Sequence, residues 1–175
     1  FESKIGRSEQ DFNAVGIYKY IKNADDAAFF LTQAYKVIDS NTYNKTDGSC
    51  AISAMITADK KLTIANLGDS QATLFMASPD GSVKGSRINN LHTASNELKT
   101  GRLKIVDEGP DGQTTRLNIL QGRLYNESNG HMLSPSRAFG DHGYRASGLI
   151  STPEIHAVDL NDPQYAGKRI FLEVT

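Results

Sequence analysis

The sequence predicts an α+β fold whose sheet is covered on both faces. Three observations carry this. Residues 24–39 repeat apolar side chains at helical spacing. Three short apolar segments then follow at close intervals between residues 50 and 77, with apolar residues on both faces of each. The composition is that of an ordinary globular chain, 38% hydrophobic and 22% charged. Its 175 residues fit one domain, 1–175, able to bury an ordinary core.

Each element has a local reason. Asn23 is a good N-cap, and Asp25 and Asp26 stand in the first turn, where the helix dipole favours acids. Ala27, Phe30, Leu31, Ala34, Val37 and Ile38 then mark one face of a helix over 24–39. "SNTYNKTDGS" reads as a loop. "CAISAMIT" (50–57), "KLTIANL" (61–67) and "ATLFMA" (72–77) read as strands, joined by "ADKK" and by "GDSQ". Connections this short predict an antiparallel meander, closed by the turn "SPDGS". "TASNELKTG" has the pattern of a short helix ending before Gly101. "RLKIVDEGPDGQTTRLNILQGRLY" reads as strands broken at Pro-Asp-Gly. "GLISTPEIHAVDL" is extended and interrupted at Pro153, and "KRIFLEV" (168–174) is a last strand.

The charge balance excludes some functions. A net charge of -1 gives no argument for a nucleic-acid or anionic-membrane partner, and none is expected. No apolar run approaches the ~20 residues of a membrane-spanning helix. The N-terminal "FESKIGRSEQDF" lacks the apolar centre of a signal peptide. One cysteine, Cys50, leaves no internal disulfide, and the expectation is a cytoplasmic or otherwise intracellular protein.

Few residues stand in positions suited to chemistry. Asp69, in "NLGDSQA", is either a turn acid or a carboxylate fixed at the rim of a sheet, as a metal ligand or an acid-base group. In "SPSRAFGD", Arg137 and Asp141 lie four residues apart and read as an internal ion pair that holds a loop. Arg7 and Asp11, in "GRSEQD", read alone as a solvated charge cluster. His92 and His131 lack metal-ligand spacing, and Cys50 reads as a core thiol.

Taken in order, these segments resemble the metal-dependent Ser/Thr protein phosphatases of type 2C, the PPM family. The family's "sGSTA" appears as "DGSCAISAMI", its "aNvGDSRa" as "IANLGDSQA", and its "G-x-L-x-x-SRAxGD" as "GHMLSPSRAFGD". "LISTPEI" and "IFLEVT" match two later segments, and "GRSEQD" matches the N-terminal "R…ED" motif with one residue fewer between Arg and Asp. Gln71 stands where the family usually has Arg.

The resemblance implies a four-layer α-β-β-α sandwich, two antiparallel sheets flanked by helices. It implies hydrolysis of phosphoserine and phosphothreonine in a phosphoprotein substrate, by water activated on two Mn²⁺ or Mg²⁺ ions. Arg7 would hold the phosphate. Asp11, Asp69 and Asp141 would be metal ligands, Asp69 serving a more weakly held third ion. Arg137 and Gly140 would build the supporting loop.

The family's "DGxxGH" is expected between residue 12 and Asn23, where "FNAVGIYKYIKN" stands, and its "DG" is expected directly after Thr175. Two divalent ions ~4 Å apart repel by roughly 17 kcal/mol at an effective dielectric of about 20, which several carboxylates must offset. Without the missing motifs the 175-residue chain is expected to be inactive alone, as a domain seen incompletely. The alternative is a phosphatase-like scaffold that binds a protein partner without catalysis.

Overall fold

The computed structural model describes residues 20–42, 46–108 and 114–175. In chain order the elements are α1 (Ala24–Asn41), β1 (Gly48–Ser49), β2 (Ala51–Ile56), β3 (Lys61–Leu67), β4 (Ala72–Ala77) and β5 (Val83–Arg87). Helix α2 (Ala94–Thr100) follows, then β6 (Val106–Glu108), β7 (Thr114–Arg116), β8 (Ile119–Leu120), β9 (Arg123–Asn126), β10 (His131–Leu133) and β11 (Phe139–Gly140). A 3₁₀ turn (His142–Ser147), β12 (Glu154–Asp159), a second 3₁₀ turn (Pro163–Tyr165) and β13 (Arg169–Val174) complete the chain.

Two three-stranded antiparallel sheets face each other, in the orders β12-β3-β2 and β13-β4-β5. β3 is the central strand of the core, and its two faces serve different partners. Leu62 and Ile64 meet Ala72 and Leu74 of β4, with Ile52, Val158 and Ile170 packed around them. Ala65 and Leu67 point the other way, against Leu31, Tyr35 and Phe139. β3 is buried on both faces from Leu62 to Leu67, so it does not alternate between apolar and solvent-facing residues, and Thr63 and Asn66 are buried with the rest.

α1 covers the β12-β3-β2 sheet. Asn23 caps it as expected, accepting a hydrogen bond from the Asp26 N–H at 2.9 Å. Ala27, Leu31 and Tyr35 form its buried stripe. Tyr35 donates to the Ala65 carbonyl at 3.1 Å and to Ser53 Oγ at 3.0 Å, and its ring lies 5.0 Å from that of Phe139. Val37 and Ile38, expected on the buried face, point outward at 56% and 44% exposure. The stripe follows i, i+4, i+8, and those two residues fall outside it.

The expected meander is broken at its second connection. β2 and β3 pair antiparallel from Ala51↔Leu67 to Ile56↔Leu62. β4 does not pair with β3; it pairs with β5 and β13 in the opposite sheet. "GDSQ" is therefore a crossover between sheets, not a hairpin. The reason is packing: β3 and β4 each carry an apolar face, and the chain buries both by stacking them rather than placing them side by side.

The architecture is an α+β sandwich: among the described residues, α1 and the two facing antiparallel sheets form three layers. A second core, formed by Ala94, Leu103, Leu124, Ala138, Tyr144 and Leu149, joins α2, β9 and the segment that carries β11. α2 begins at its cap Thr93 and ends before Gly101, as its sequence predicts.

Candidate functional site

The acids of interest gather where β1, β11 and the β3–β4 crossover meet. β1 pairs with β11 through Gly48↔Gly140 and Ser49↔Phe139. Both partners are glycine for a steric reason. A Cβ on Gly140, whose φ is +64, would lie 2.2 Å from the Asp47 carbonyl oxygen. A Cβ on Gly48 would lie 2.0 Å from Asp141 Oδ2. The Asp141 carboxylate thus rests directly on the Gly48 backbone. Asp141 itself is left-handed (φ 47, ψ 37), a conformation that Asp tolerates, and its side chain makes no cap bond to the 3₁₀ turn that follows.

The loop around Gly140 is locked by residues that the sequence reading did not single out. Asp39, at the C-terminal end of α1, accepts from the Gly140 N–H at 3.0 Å and from Arg145 Nη2 at 2.8 Å. Arg145 Nη2 also donates to the carbonyls of Ala138 (3.3 Å) and Gly140 (3.1 Å).

Asp69 sits exposed in the crossover, and the crossover is braced along its length. Asn66 Nδ2 donates to the Gly68 carbonyl at 3.2 Å, and the His92 N–H donates to the same carbonyl at 2.9 Å. Asn89 accepts from the Ala72 N–H at 2.8 Å and donates to the Ser70 carbonyl at 2.9 Å. Cys50 closes the group, its thiol donating to Asp69 Oδ1 at 3.3 Å. Burial pushes that thiol up to about 11, and the charges of Asp69 and Asp141 push in the same direction. Burial likewise raises Asp141, aided by the charge of Asp47 and opposed by that of Arg145. Asp69 and Asp141 therefore both bear on Cys50, and the local field disfavours further negative charge.

Arg137 belongs to a different cluster. Its expected partner Asp141 is not its partner. Its Nε donates to Glu97 Oε1 of α2 at 2.9 Å and its Nη1 to the Thr152 carbonyl at 3.1 Å. The physical reason is direction: Asp141 turns back onto Gly48, while Arg137 reaches across the bridge to Ile150 toward α2. Glu97 is also held by Arg102. Burial pushes its carboxyl up, but the two guanidinium groups outweigh that and hold it below the usual range. Helical spacing could have flagged Glu97, because it falls on the same face as buried Ala94. Glu97, Arg102 and Arg137 line a cavity of about 410 Å³ to which Cys50, Asp69 and Asp141 contribute nothing.

Arg7 and Asp11 lie outside the described residues. Of the expected site residues, the fold brings Asp69 and Asp141 to one place, sets Gly140 beneath them, and sends the Arg137 guanidinium elsewhere. The carboxylate oxygens suit a hard cation such as Mg²⁺ or Mn²⁺ in kind. They do not suffice in number: among the described residues no group of three or more His, Cys, Asp or Glu is arranged to hold a metal ion.

Known proteins are similar to this chain in sequence and in fold. The family model for protein phosphatase 2C matches residues 6–165. A protein phosphatase 2C homolog of Schizosaccharomyces pombe is 37% identical over 105 residues, 59% of this chain and 21% of that protein. The probable protein phosphatase 2C 8 of Arabidopsis thaliana is 33% identical over 119 residues, 66% of this chain and 32% of its own length. The mitochondrial [pyruvate dehydrogenase [acetyl-transferring]]-phosphatase 1 of Bos taurus is 35% identical over 106 residues, 59% of this chain and 18% of its own. The chain thus spans between about a fifth and a third of these relatives. The solved serine-threonine phosphatase 2C of Toxoplasma gondii superposes with a TM-score of 0.57 at 16% identity, covering 97% of this chain and 55% of that one, which establishes the fold. With its family model matched from residue 6 to residue 165, the chain belongs to the protein phosphatase 2C family.

Proposed function

We propose that this chain is part of a metal-dependent protein phosphatase acting on phosphoserine and phosphothreonine. The observation that carries the reading is the pair of carboxylates, Asp69 and Asp141, set around Cys50 at the edge of the sandwich in a chain of this family. Mn²⁺ or Mg²⁺ held there by Asp69, Asp141 and further ligands would supply the charge that activates water toward phosphorus. The chain's own part is to hold oxygen ligands in place. Asp69 is fixed by a braced crossover and Asp141 by the Gly48 backbone, so neither has to be ordered when a cation arrives. A cation would also relieve the crowding of Asp47 and Asp141. Arg7 and Asp11 keep, within this proposal, the phosphate-binding and metal-ligating roles that the resemblance implies. Arg137 serves as an internal brace rather than as a phosphate ligand.

The test is Mn²⁺-dependent hydrolysis of p-nitrophenyl phosphate by the full-length protein and its Asp69→Asn variant. Asn keeps the turn and still accepts the Cys50 hydrogen bond, so folding should hold. Turnover should fall by at least about tenfold, with the Mn²⁺ needed for half-activation raised. Unchanged turnover and Mn²⁺ dependence in a folded variant would remove Asp69 from the site.

A further inference from the structure

Beneath the crossover lies a buried imidazole that the chemistry above does not use. His92 is 2% exposed. Its Nδ1 accepts the Gly68 N–H at 3.3 Å, with Asn66 Nδ2 3.4 Å away and its two hydrogens directed to the Gly68 and Asn90 carbonyls. A ring nitrogen that faces a peptide N–H must offer its lone pair, so the proton of the neutral ring sits on Nε2. Nε2 lies 2.8 Å from Glu154 Oε2, which accepts it. Glu154 is steadied in turn by Asn90 Nδ2, at 3.1 and 3.3 Å from its two oxygens. A chain of contacts therefore runs from Glu154 at the start of β12, through the His92 ring, to the Leu67–Gly68 peptide, one residue before Asp69.

Gly68 has nowhere else to go. Its φ is +108, and a Cβ there would lie 2.2 Å from Cys50 Sγ and 3.1 Å from the Arg137 carbonyl oxygen. The Gly68 peptide is thus clamped between Cys50 above and His92 below. Asp69 is the next residue, and the peptide that joins the two is held at the Gly68 carbonyl by the His92 N–H (2.9 Å) and Asn66 Nδ2 (3.2 Å).

We propose that His92 is a positioning residue for Asp69. It accepts the Gly68 N–H, anchors it to Glu154, and so sets where the Asp69 carboxylate stands in the site. The proposal rests on the reading of Asp69 as a working carboxylate of the phosphatase centre. It also accounts for a histidine without metal-ligand spacing in a segment with no chemistry of its own.

The experiment compares His92→Phe with His92→Asn in the full-length protein. Phe keeps a flat ring and removes the acceptor. Asn Oδ1 is one bond from Cγ, as Nδ1 is, and restores an acceptor toward Gly68. Two quantities are read. One is the alkylation rate of Cys50 by iodoacetamide in metal-free protein, which reports whether the Gly68 peptide still covers that thiol. The other is the Mn²⁺ concentration for half-activation with p-nitrophenyl phosphate, set beside KM.

His92→Phe should speed Cys50 alkylation at least about tenfold and raise the Mn²⁺ requirement about 10- to 100-fold, with KM nearly unchanged. His92→Asn should stay close to the parent in both. If His92→Phe does not fold, Glu154→Ala replaces it, since it keeps the ring and removes its anchor. Equal damage in Phe and Asn variants would overturn the acceptor role, and parental behaviour in both would overturn the positioning role. Faster Cys50 alkylation with an unchanged Mn²⁺ requirement would leave His92 as a brace of the turn and remove Asp69 from the working site. That outcome separates failure of the functional reading from failure of the inference.

Discussion

Glu97 should be worth more to the fold than the arginine that the sequence motif advertises. Arg137→Ala removes the Nε bond to Glu97 and the Nη1 bond to the Thr152 carbonyl, but Glu97 keeps Arg102. One charge-assisted bond is worth about 1.5–3 kcal/mol and one neutral acceptor about 1 kcal/mol. The Arg137 side chain is 15% exposed, so water makes good part of the loss, and about 2–3 kcal/mol remains. Glu97→Ala differs in kind. It leaves two guanidinium groups, 24% and 15% exposed, side by side without their shared anion. Stranding partly buried charge in this way costs about 3–5 kcal/mol. Once Glu97 is gone, removing Arg137 also removes a repulsion, so the double variant should be less damaged than the sum by about 2 kcal/mol. Urea unfolding of the four proteins gives each midpoint at constant slope, and each kcal/mol should appear as about 2–4 °C in Tm. Additive losses, or a larger loss from Arg137→Ala than from Glu97→Ala, would refute the shared-anion argument.

Two further outcomes follow from the site. Gly140→Ala drives a methyl group into the Asp47 carbonyl and forces a left-handed alanine. It should destabilise by at least about 2 kcal/mol in urea and separate β1 from β11, seen as faster amide exchange at Ser49 and Asp141. Acid should weaken the fold in two steps. Burial, joined by the charge of Arg137, holds His92 below its usual 6.5, so the unfolded chain binds that proton more readily. The stability from neutral His92 is complete above about pH 6.5 and is lost as pH falls toward its folded value. Glu97 and Glu154, both held low, add a second loss below about pH 4.5. Asp141, held high, works the other way, so the His92 share is read as the parent's urea-midpoint advantage over His92→Phe from pH 8 to pH 5; that advantage should shrink on acidification, and growth would reverse the sign assigned to His92.

Local rules made the elements legible and left their partners hidden. The N-cap at Asn23, the strands near 51–56, 61–67 and 72–77, and the helix before Gly101 all follow from spacing and turn chemistry within a few residues. β5 has no such signature: "VKGSR" is exposed at every position, and pairing with β4 alone makes it a strand. The β3–β4 connection misled because a short turn between apolar strands reads the same whether the second strand lies beside the first or over it. The site divided along the same line. Asp69 and Asp141 stood out through their motifs. Asp39 with Arg145, Glu97 with Arg137, and His92 with Glu154 are joined across 106, 40 and 62 residues, and no local pattern announces such pairs.

The close approaches around Cys50 constrain how this corner of the protein changes over generations. Gly48 is bare so that Asp141 can lie on it, Gly68 so that Cys50 can, and Gly140 so that the Asp47 carbonyl can. Each glycine answers to a neighbour in a different segment of the chain, and two of the three also need φ values that other residues resist. A substitution at one member of such a pair is harmful until its counterpart shrinks, and at Gly68 and Gly140 even a smaller counterpart leaves the backbone strained. Variation should therefore enter through the side chains, at positions such as Cys50, while the glycines stay fixed. Relatives can exchange the group that faces the acids without redrawing the corner that holds them.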